Sequence, residues 1–302
     1  MTTTHALRID GVSRRFGRTE ALADVSFTVP EHTICGLLGR NGAGKTTLMS
    51  ILAGHDRADR GSVQVFGADP FENAPAMSSV SFLRDNQRYP DDYYLKHVLR
   101  VGPLFHENWS VEIAEEVAER FRLPAKPPVK KYSRGQLSAL GVLIGLASRA
   151  PLTIFDEPYL GLDATARQLF YDLLIREYSA HPRTILMSTH LIDEMDGLLE
   201  HVVVLDRGRV VRDSTVEDAQ QAAFTVSGPA TAVEKVVGGA RVLRTHRAGG
   251  LVSLTIEGAL TPALADAASA AGVQVQRATL QDFVAALGAL DEAPLTTEGI
   301  RA

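Results

Sequence analysis

Between residues 33 and 54 the chain passes from an apolar run, through a stretch rich in glycine, into a segment of helical period, and few folds accept that order. Thr33-Ile34-Cys35-Gly36-Leu37-Leu38 reads as a short buried strand, and Thr46 to Gly54 sets Leu48, Ile51 and Leu52 at helical spacing before a closing glycine. Between them, Gly39-Arg40-Asn41-Gly42-Ala43-Gly44-Lys45-Thr46 fits the phosphate-binding pattern G-x-x-x-x-G-K-[ST], with Thr47 next in line. Glycines let successive backbone N–H groups turn inward on an oxyanion, and a helix N-terminus adds the positive end of its dipole. Lys45 then neutralises outer phosphates and Thr46 offers a hydroxyl to a magnesium ion. Only six of the 31 basic residues are lysine, so a lysine at this position is informative.

The rest of the composition sets bounds. The 302 residues correspond to about two domains at roughly 150 residues each. A hydrophobic content of 45% with 22% charged residues excludes wholesale disorder. A formal charge of -5 gives no electrostatic reason for a nucleic-acid partner, so none is expected. The longest uncharged apolar run, Leu137 to Ser148, falls short of the ~20 residues of a membrane span. Cys35, the single cysteine, has no partner for an internal disulfide and reads as a packed core residue. The first ten residues lack the apolar core of a signal peptide, and the expected location is the cytoplasm.

Along the chain, Ala6 to Val12 and Ala21 to Val29 read as strands joined by a charged turn, and Gly61 to Gly67 as another. An aromatic, polar stretch from Asp85 to Trp109 precedes an acidic helix, Val111 to Phe121, and a proline-rich break. Helices follow at Ser133 to Ala147 and Ala164 to Tyr178, alternating with strands at Leu152 to Phe155, Thr184 to Ser188 and His201 to Asp206. That alternation predicts a parallel sheet covered on both faces. Beyond residue 222 the chain turns rich in Ala, Val and Gly and loses its tyrosines, and the pattern predicts a small βαββαβ unit, with Leu251 to Glu257 among its strands and a helix at Leu280 to Leu287 closing it. The expected division is 1–221, containing a helical subdomain at about 88–148, then 222–290 as the small unit and 291–302 as a loose tail.

Leu152-Thr153-Ile154-Phe155 ends in Asp156 and Glu157, and carboxyl ends of parallel strands converge on the ligand crevice. There Asp156 would hold magnesium and Glu157 would orient and polarise an attacking water. A GTPase would need N-K-x-D and D-x-x-G, and neither occurs in the sequence. Ser133-Arg134-Gly135-Gln136 lies before that strand, while Gly161-Leu162-Asp163 and Ser188-Thr189-His190 follow it.

With these motifs in this order, residues 6 to 220 resemble the ATP-binding-cassette family, the ATPase subunits of ABC transporters. The resemblance implies a P-loop NTPase core of ABC type with an antiparallel β subdomain and a helical subdomain. It also implies ATP and Mg2+ as cofactors, with ATP held by Phe16, stacked on adenine, and by Gly39, Arg40, Asn41, Gly42, Ala43, Gly44, Lys45, Thr46 and Thr47. Glu157 and His190 would be the catalytic pair, and Thr46, Asp156 and Gln87 the metal-side oxygens. Ser133, Gly135, Gln136 and Asp163 would meet ATP bound by the opposite subunit, so a working site would need two chains, identical or related. The chain departs from the family pattern in two places. In the signature Tyr132 replaces leucine and Arg134 replaces the first glycine, and Asp85 falls where the family has its glutamine, with Gln87 two residues on.

The same resemblance implies a separate transmembrane permease as partner and a peripheral place on the inner face of the cell membrane. The aromatic stretch from Arg88 to Trp109 would either pack the helical subdomain or dock a cytoplasmic helix of that partner. The C-terminal unit, with Thr279-Leu280-Gln281-Asp282-Phe283, looks like the accessory extension of export-type subunits. Two alternatives stay open at this point: a soluble ABC ATPase without a transport partner, and a weakly hydrolysing, nucleotide-binding regulatory module.

Overall fold

The computed structural model describes residues 4–85, 87–195 and 197–287. Strands β1 (His5–Phe16) and β2 (Thr19–Pro30) form a hairpin, and β3 (Ile34–Leu38) leads through the glycine loop into α1 (Lys45–Leu52). β4 (Arg60–Val65) returns to β1, and the short α2 (Ala74–Met77) precedes β5 (Val80–Arg84). A helical excursion follows, α3 (Leu95–Phe105), α4 (Val111–Arg120) and α5 (Arg134–Ser148). The chain then alternates through β6 (Leu152–Asp156), α6 (Ala164–Ala180) and β7 (Thr184–Thr189) before the hairpin of β8 (His201–Asp206) and β9 (Arg209–Thr215).

The central sheet has the order β5-β6-β7-β3-β8-β9, parallel from β5 to β8 with β9 antiparallel at the edge. Every residue of β3, β6 and β7 is buried, as expected of parallel strands covered on both faces. On one face the sheet β2-β1-β4 and α1 close a core in which Leu7, Ile9, Val25 and Phe27 meet Leu48, Ile51 and Leu37. Cys35 lies in that core, where burial pushes its thiol far above the usual range. On the other face α5 and α6 join α3 and α4, with Leu140, Leu143, Phe155 and Phe170 among the packed side chains.

After α7 (Val216–Gln221) the chain builds a second unit from β10 (Ala223–Pro229), α8 (Ala230–Val237), β11 (Val242–Ala248), β12 (Leu251–Glu257), α9 (Pro262–Ala270), β13 (Gln274–Arg277) and α10 (Leu280–Leu287). Its antiparallel sheet runs β11-β12-β10-β13, and α8 and α9 cover one face over a separate core around Val226, Val233 and Leu254. α10 packs elsewhere. Leu280, Phe283, Val284 and Ala286 enter the large apolar cluster with Ile192, Met195 and Ala219, and the Arg212 guanidinium lies 5.6 Å from the Phe283 ring. The last described helix thus fastens the small unit to the nucleotide core. The expected loose tail, 291–302, lies outside the described residues.

Five elements escape the sequence pattern; α2 and β5 are only four and five residues long, and the other three have separate reasons. α3 carries Gly102 and Pro103 in its last turn, two residues that usually end a helix; a side chain at Gly102 would come within 2.5 Å of the Trp109 indole. β9 lies at a sheet edge and exposes charged residues, so its apolar signal is weak. α7 has only six residues.

Candidate active site

The glycine loop sits where the sequence places it, between the carboxyl end of β3 and the first turn of α1. Gly39 and Gly44 have φ of 143° and 104°, and a Cβ would lie 2.2 Å from the Leu205 carbonyl oxygen at the first and 2.5 Å from that of Ala21 at the second. No other residue satisfies both the left-handed backbone and that close approach. Lys45 Nζ donates to the carbonyls of Gly39 at 2.7 Å and Arg40 at 3.2 Å, spanning the loop. Burial lowers the pKa of its ammonium, and the Glu157 and Asp156 carboxylates oppose that shift. A cleft of 370 Å³ runs along the loop, lined by Asn41, Gly42, Gly44, Lys45, Thr46 and Thr47 and closed by Asp156 and Glu157. Ala43 packs below it in the core, and Gly39 and Arg40 border a second cleft on the side of His190. Phe16, at the end of β1, is 50% exposed with the Arg14 guanidinium 4.7 Å from its ring centre, which leaves a ring face for stacking.

Three strand ends converge on this cleft. The Thr46 hydroxyl donates to Asp156 Oδ2 at 2.9 Å, and the Ser188 hydroxyl donates to Asp156 Oδ1 at 2.8 Å. Asp156 and Ser188 are direct neighbours in the parallel register of β6 and β7. The same Ser188 oxygen accepts the backbone N–H of Glu157 at 3.0 Å. Glu157 takes a left-handed backbone, φ 53°, unusual for a residue with a side chain and characteristic of sites whose surroundings over-determine them. Its side chain is 12% exposed and meets His190, with Nδ1 2.6 Å from Glu157 Oε2. Thr46 and Asp156 therefore present two hard oxygen ligands side by side, a donor set that suits a small divalent cation beside phosphates.

The signature segment stands apart. Ser133 caps α5, its hydroxyl accepting the Gln136 N–H at 3.2 Å while Gln136 Oε1 accepts the Ser133 N–H at 2.9 Å. Asp163 likewise caps α6 through the Ala166 N–H at 2.8 Å. A Cβ at Gly135 would lie 2.6 Å from the Gly161 carbonyl oxygen, so glycine is what lets the two loops touch. None of Ser133, Gly135, Gln136 and Asp163 lines the P-loop cleft of its own chain.

The two departures from the family pattern prove to be partners. Arg134 pairs with Asp85 at 2.9 Å, across the gap between α5 and the end of β5. Asp85 and Gln87 both line a small cleft with Asp156 and Glu157. Only Asp85 is tied to the arginine.

Sequence reasoning missed Ser188 and Tyr159 as site residues. Ser188 was legible as part of Ser188-Thr189-His190, but its contact with Asp156 depends on strand register. Tyr159 follows Pro158 in a loop without local periodicity, and no sequence signal marks it.

Comparison with known proteins agrees with this geometry. The family profile described as ABC transporter matches residues 22–160. The uncharacterized ABC transporter ATP-binding protein YdbJ of Bacillus subtilis is 31% identical over 225 residues, covering 71% of each chain. The daunorubicin resistance ATP-binding protein DrrA3 of Streptomyces coeruleorubidus is 31% identical, covering 70% of this chain and 69% of its own. A solved structure of an ATP-binding subunit of an ABC transporter superposes with a TM-score of 0.64 at 23% identity, over 71% of this chain and 92% of that one. The chain belongs to the ATP-binding subunits of ABC transporters. It binds ATP and is an ATPase. Among the described residues no helix is long and apolar enough to cross a membrane.

Proposed function

We propose that the chain is the motor subunit of an exporter, in which two ATP-binding chains close on MgATP and drive a separate transmembrane permease from the inner face of the membrane. The observation that carries this reading is the convergence of Thr46, Asp156 and Glu157 on the P-loop cleft, with His190, from the end of a neighbouring strand, held against Glu157. Phe16 stacks on adenine, the loop from Gly39 to Thr47 cradles the phosphates, and Lys45 turns from the loop carbonyls to the outer phosphates. Thr46 and Asp156, with Gln87, would hold Mg2+, which when bound would supply positive charge at those phosphates. Asp85 is engaged by Arg134, which supports Gln87 as the third oxygen. Glu157 accepts the proton of the attacking water, and His190 holds that carboxylate. Ser133, Gly135, Gln136 and Asp163 lie outside their own chain's cleft, which supports a role on the ATP of the opposite subunit.

Export is favoured by the resistance function in the name of DrrA3 and by the accessory unit. The division at 1–221, 222–290 and 291–302 belongs to the same reading. Leu104 and Phe105, at the end of α3, are 79% and 70% exposed, while Tyr89, Tyr93 and Trp109 pack inward. The exposed pair supports docking of a cytoplasmic helix of the permease.

Purification of the full chain from detergent extracts tests the proposal. An integral membrane protein should copurify, stimulate MgATP hydrolysis, and be lost when Leu104→Asp and Phe105→Asp are combined, with basal hydrolysis retained. Recovery of soluble proteins alone would favour an ABC ATPase without a transport partner.

A further inference from the structure

Tyr159 is 2% exposed although it carries a hydroxyl, and it stands two residues after the acidic pair with no part in the reading above. Its ring meets the His190 ring edge-on, with centroids 5.4 Å apart. The hydroxyl donates to Glu157 Oε2 at 2.5 Å and accepts the His190 backbone N–H at 2.9 Å. His190 Nδ1 reaches the same Glu157 oxygen at 2.6 Å, so two donors converge on one carboxylate oxygen. Burial, reinforced by the bond to Glu157, holds the phenol well above its ordinary pKa, so it remains a donor at neutral pH.

We propose that Tyr159 is a positioning residue for hydrolysis, its hydroxyl locking the Glu157 carboxylate to the backbone of His190 so that Oε1 is presented to the attacking water. The inference rests on the reading of Glu157 as the group that takes the water's proton. A glutamate side chain has several rotamers, and pre-organisation demands one. Here the Glu157 backbone is pinned through Ser188 and its side chain through Tyr159, from opposite ends of the residue. The tyrosine also links two loops, because Glu157 follows β6 and His190 follows β7. A change at either loop is therefore felt at the other through one oxygen atom. Hydrophobic packing would need only the ring. The hydroxyl is the part that joins carboxylate and histidine, and Tyr159→Phe removes it while keeping the ring.

Steady-state MgATP hydrolysis by the full chain, compared among wild type, Tyr159→Phe, Glu157→Gln and the double variant, tests this. Tyr159→Phe is expected to lower kcat by at least about tenfold, in line with a lost hydrogen bond to a charged group, with KM for MgATP changed less than about twofold. In the Glu157→Gln background it should cause no further loss. A kcat within about twofold of wild type, or an equal loss in both backgrounds, overturns the proposal. If Glu157→Gln hydrolyses as fast as wild type, the reading of Glu157 falls and this inference with it; if Glu157→Gln is inert while Tyr159→Phe is unimpaired, this inference alone falls. Should the phenylalanine chain not fold, 3,5-difluorotyrosine at position 159 decides instead. It keeps the shape but makes the hydroxyl a stronger donor. A kcat changed by at least about threefold supports the proposal, and an unchanged kcat overturns it.

Discussion

At the carboxyl edge of the central sheet Asp156 is 8% exposed and both its oxygens already accept hydrogen bonds, whereas at the start of α5 the Ser133 and Arg134 side chains stand in solvent. The first region is finished within one chain. Lys45, Asp156 and Ser188 are buried and paired before any nucleotide arrives, the arrangement in which fixed dipoles and charges act most strongly, while Thr46 and His190 reach towards solvent. The second region caps its own helix ends, through Ser133 with Gln136 and Asp163 with Ala166, and the exposed Arg134–Asp85 pair ties it to the central sheet. The difference teaches that one chain holds a paired half and an exposed half, which under the proposed function grip the phosphates of its own ATP and serve a second copy or a relative.

The most severe break of the comparison is Glu157→Gln, which keeps the size of the side chain and removes its charge. Hydrolysis should fall on the order of a thousandfold with ATP still bound, as measured by steady-state kinetics and equilibrium binding. Lys45→Ala attacks the same half at the binding step. MgATP affinity should weaken about a hundredfold by calorimetry, because a buried cation facing phosphate is lost. Ser133→Ala probes the exposed half. It should cost about 1 kcal/mol of stability through the lost cap, with ATP binding by the single chain unchanged and ATP-driven association in the Glu157→Gln background weakened on a sizing column. The smallest effect belongs to Arg134 and Asp85. A double-mutant cycle in thermal unfolding should give a coupling below about 1 kcal/mol that shrinks with added salt, since the arginine side chain is 61% exposed. A coupling of several kcal/mol would mean that the exposed half is also preorganised.

The phosphate loop was legible because its chemistry is local: three glycines, a lysine and a threonine act within one strand, turn and helix. The acidic strand end was legible for the same reason, and so were β12 and α10, whose limits match the apolar pattern residue for residue. Arg134 and Asp85 were each visible as departures, yet their pairing spans 49 positions and no pattern along the chain connects them. Tyr159 was invisible because a tyrosine in a loop has no periodic neighbours to give it a direction. α10 was read as a helix, but nothing in Leu280 to Leu287 says that Phe283 faces the nucleotide core rather than the small sheet.

What the sequence determined by itself is therefore the set of parts: a phosphate loop, an acidic strand, a signature and a histidine, each carried by short-range spacing. The tertiary structure decided which parts meet. Parallel register set Ser188 beside Asp156, and the neighbouring strand ends brought Tyr159 between Glu157 and His190. Hydrogen bonds of this kind reach about 3 Å, so they depend on how strands from distant stretches align, and that alignment is fixed by the packing of the whole core.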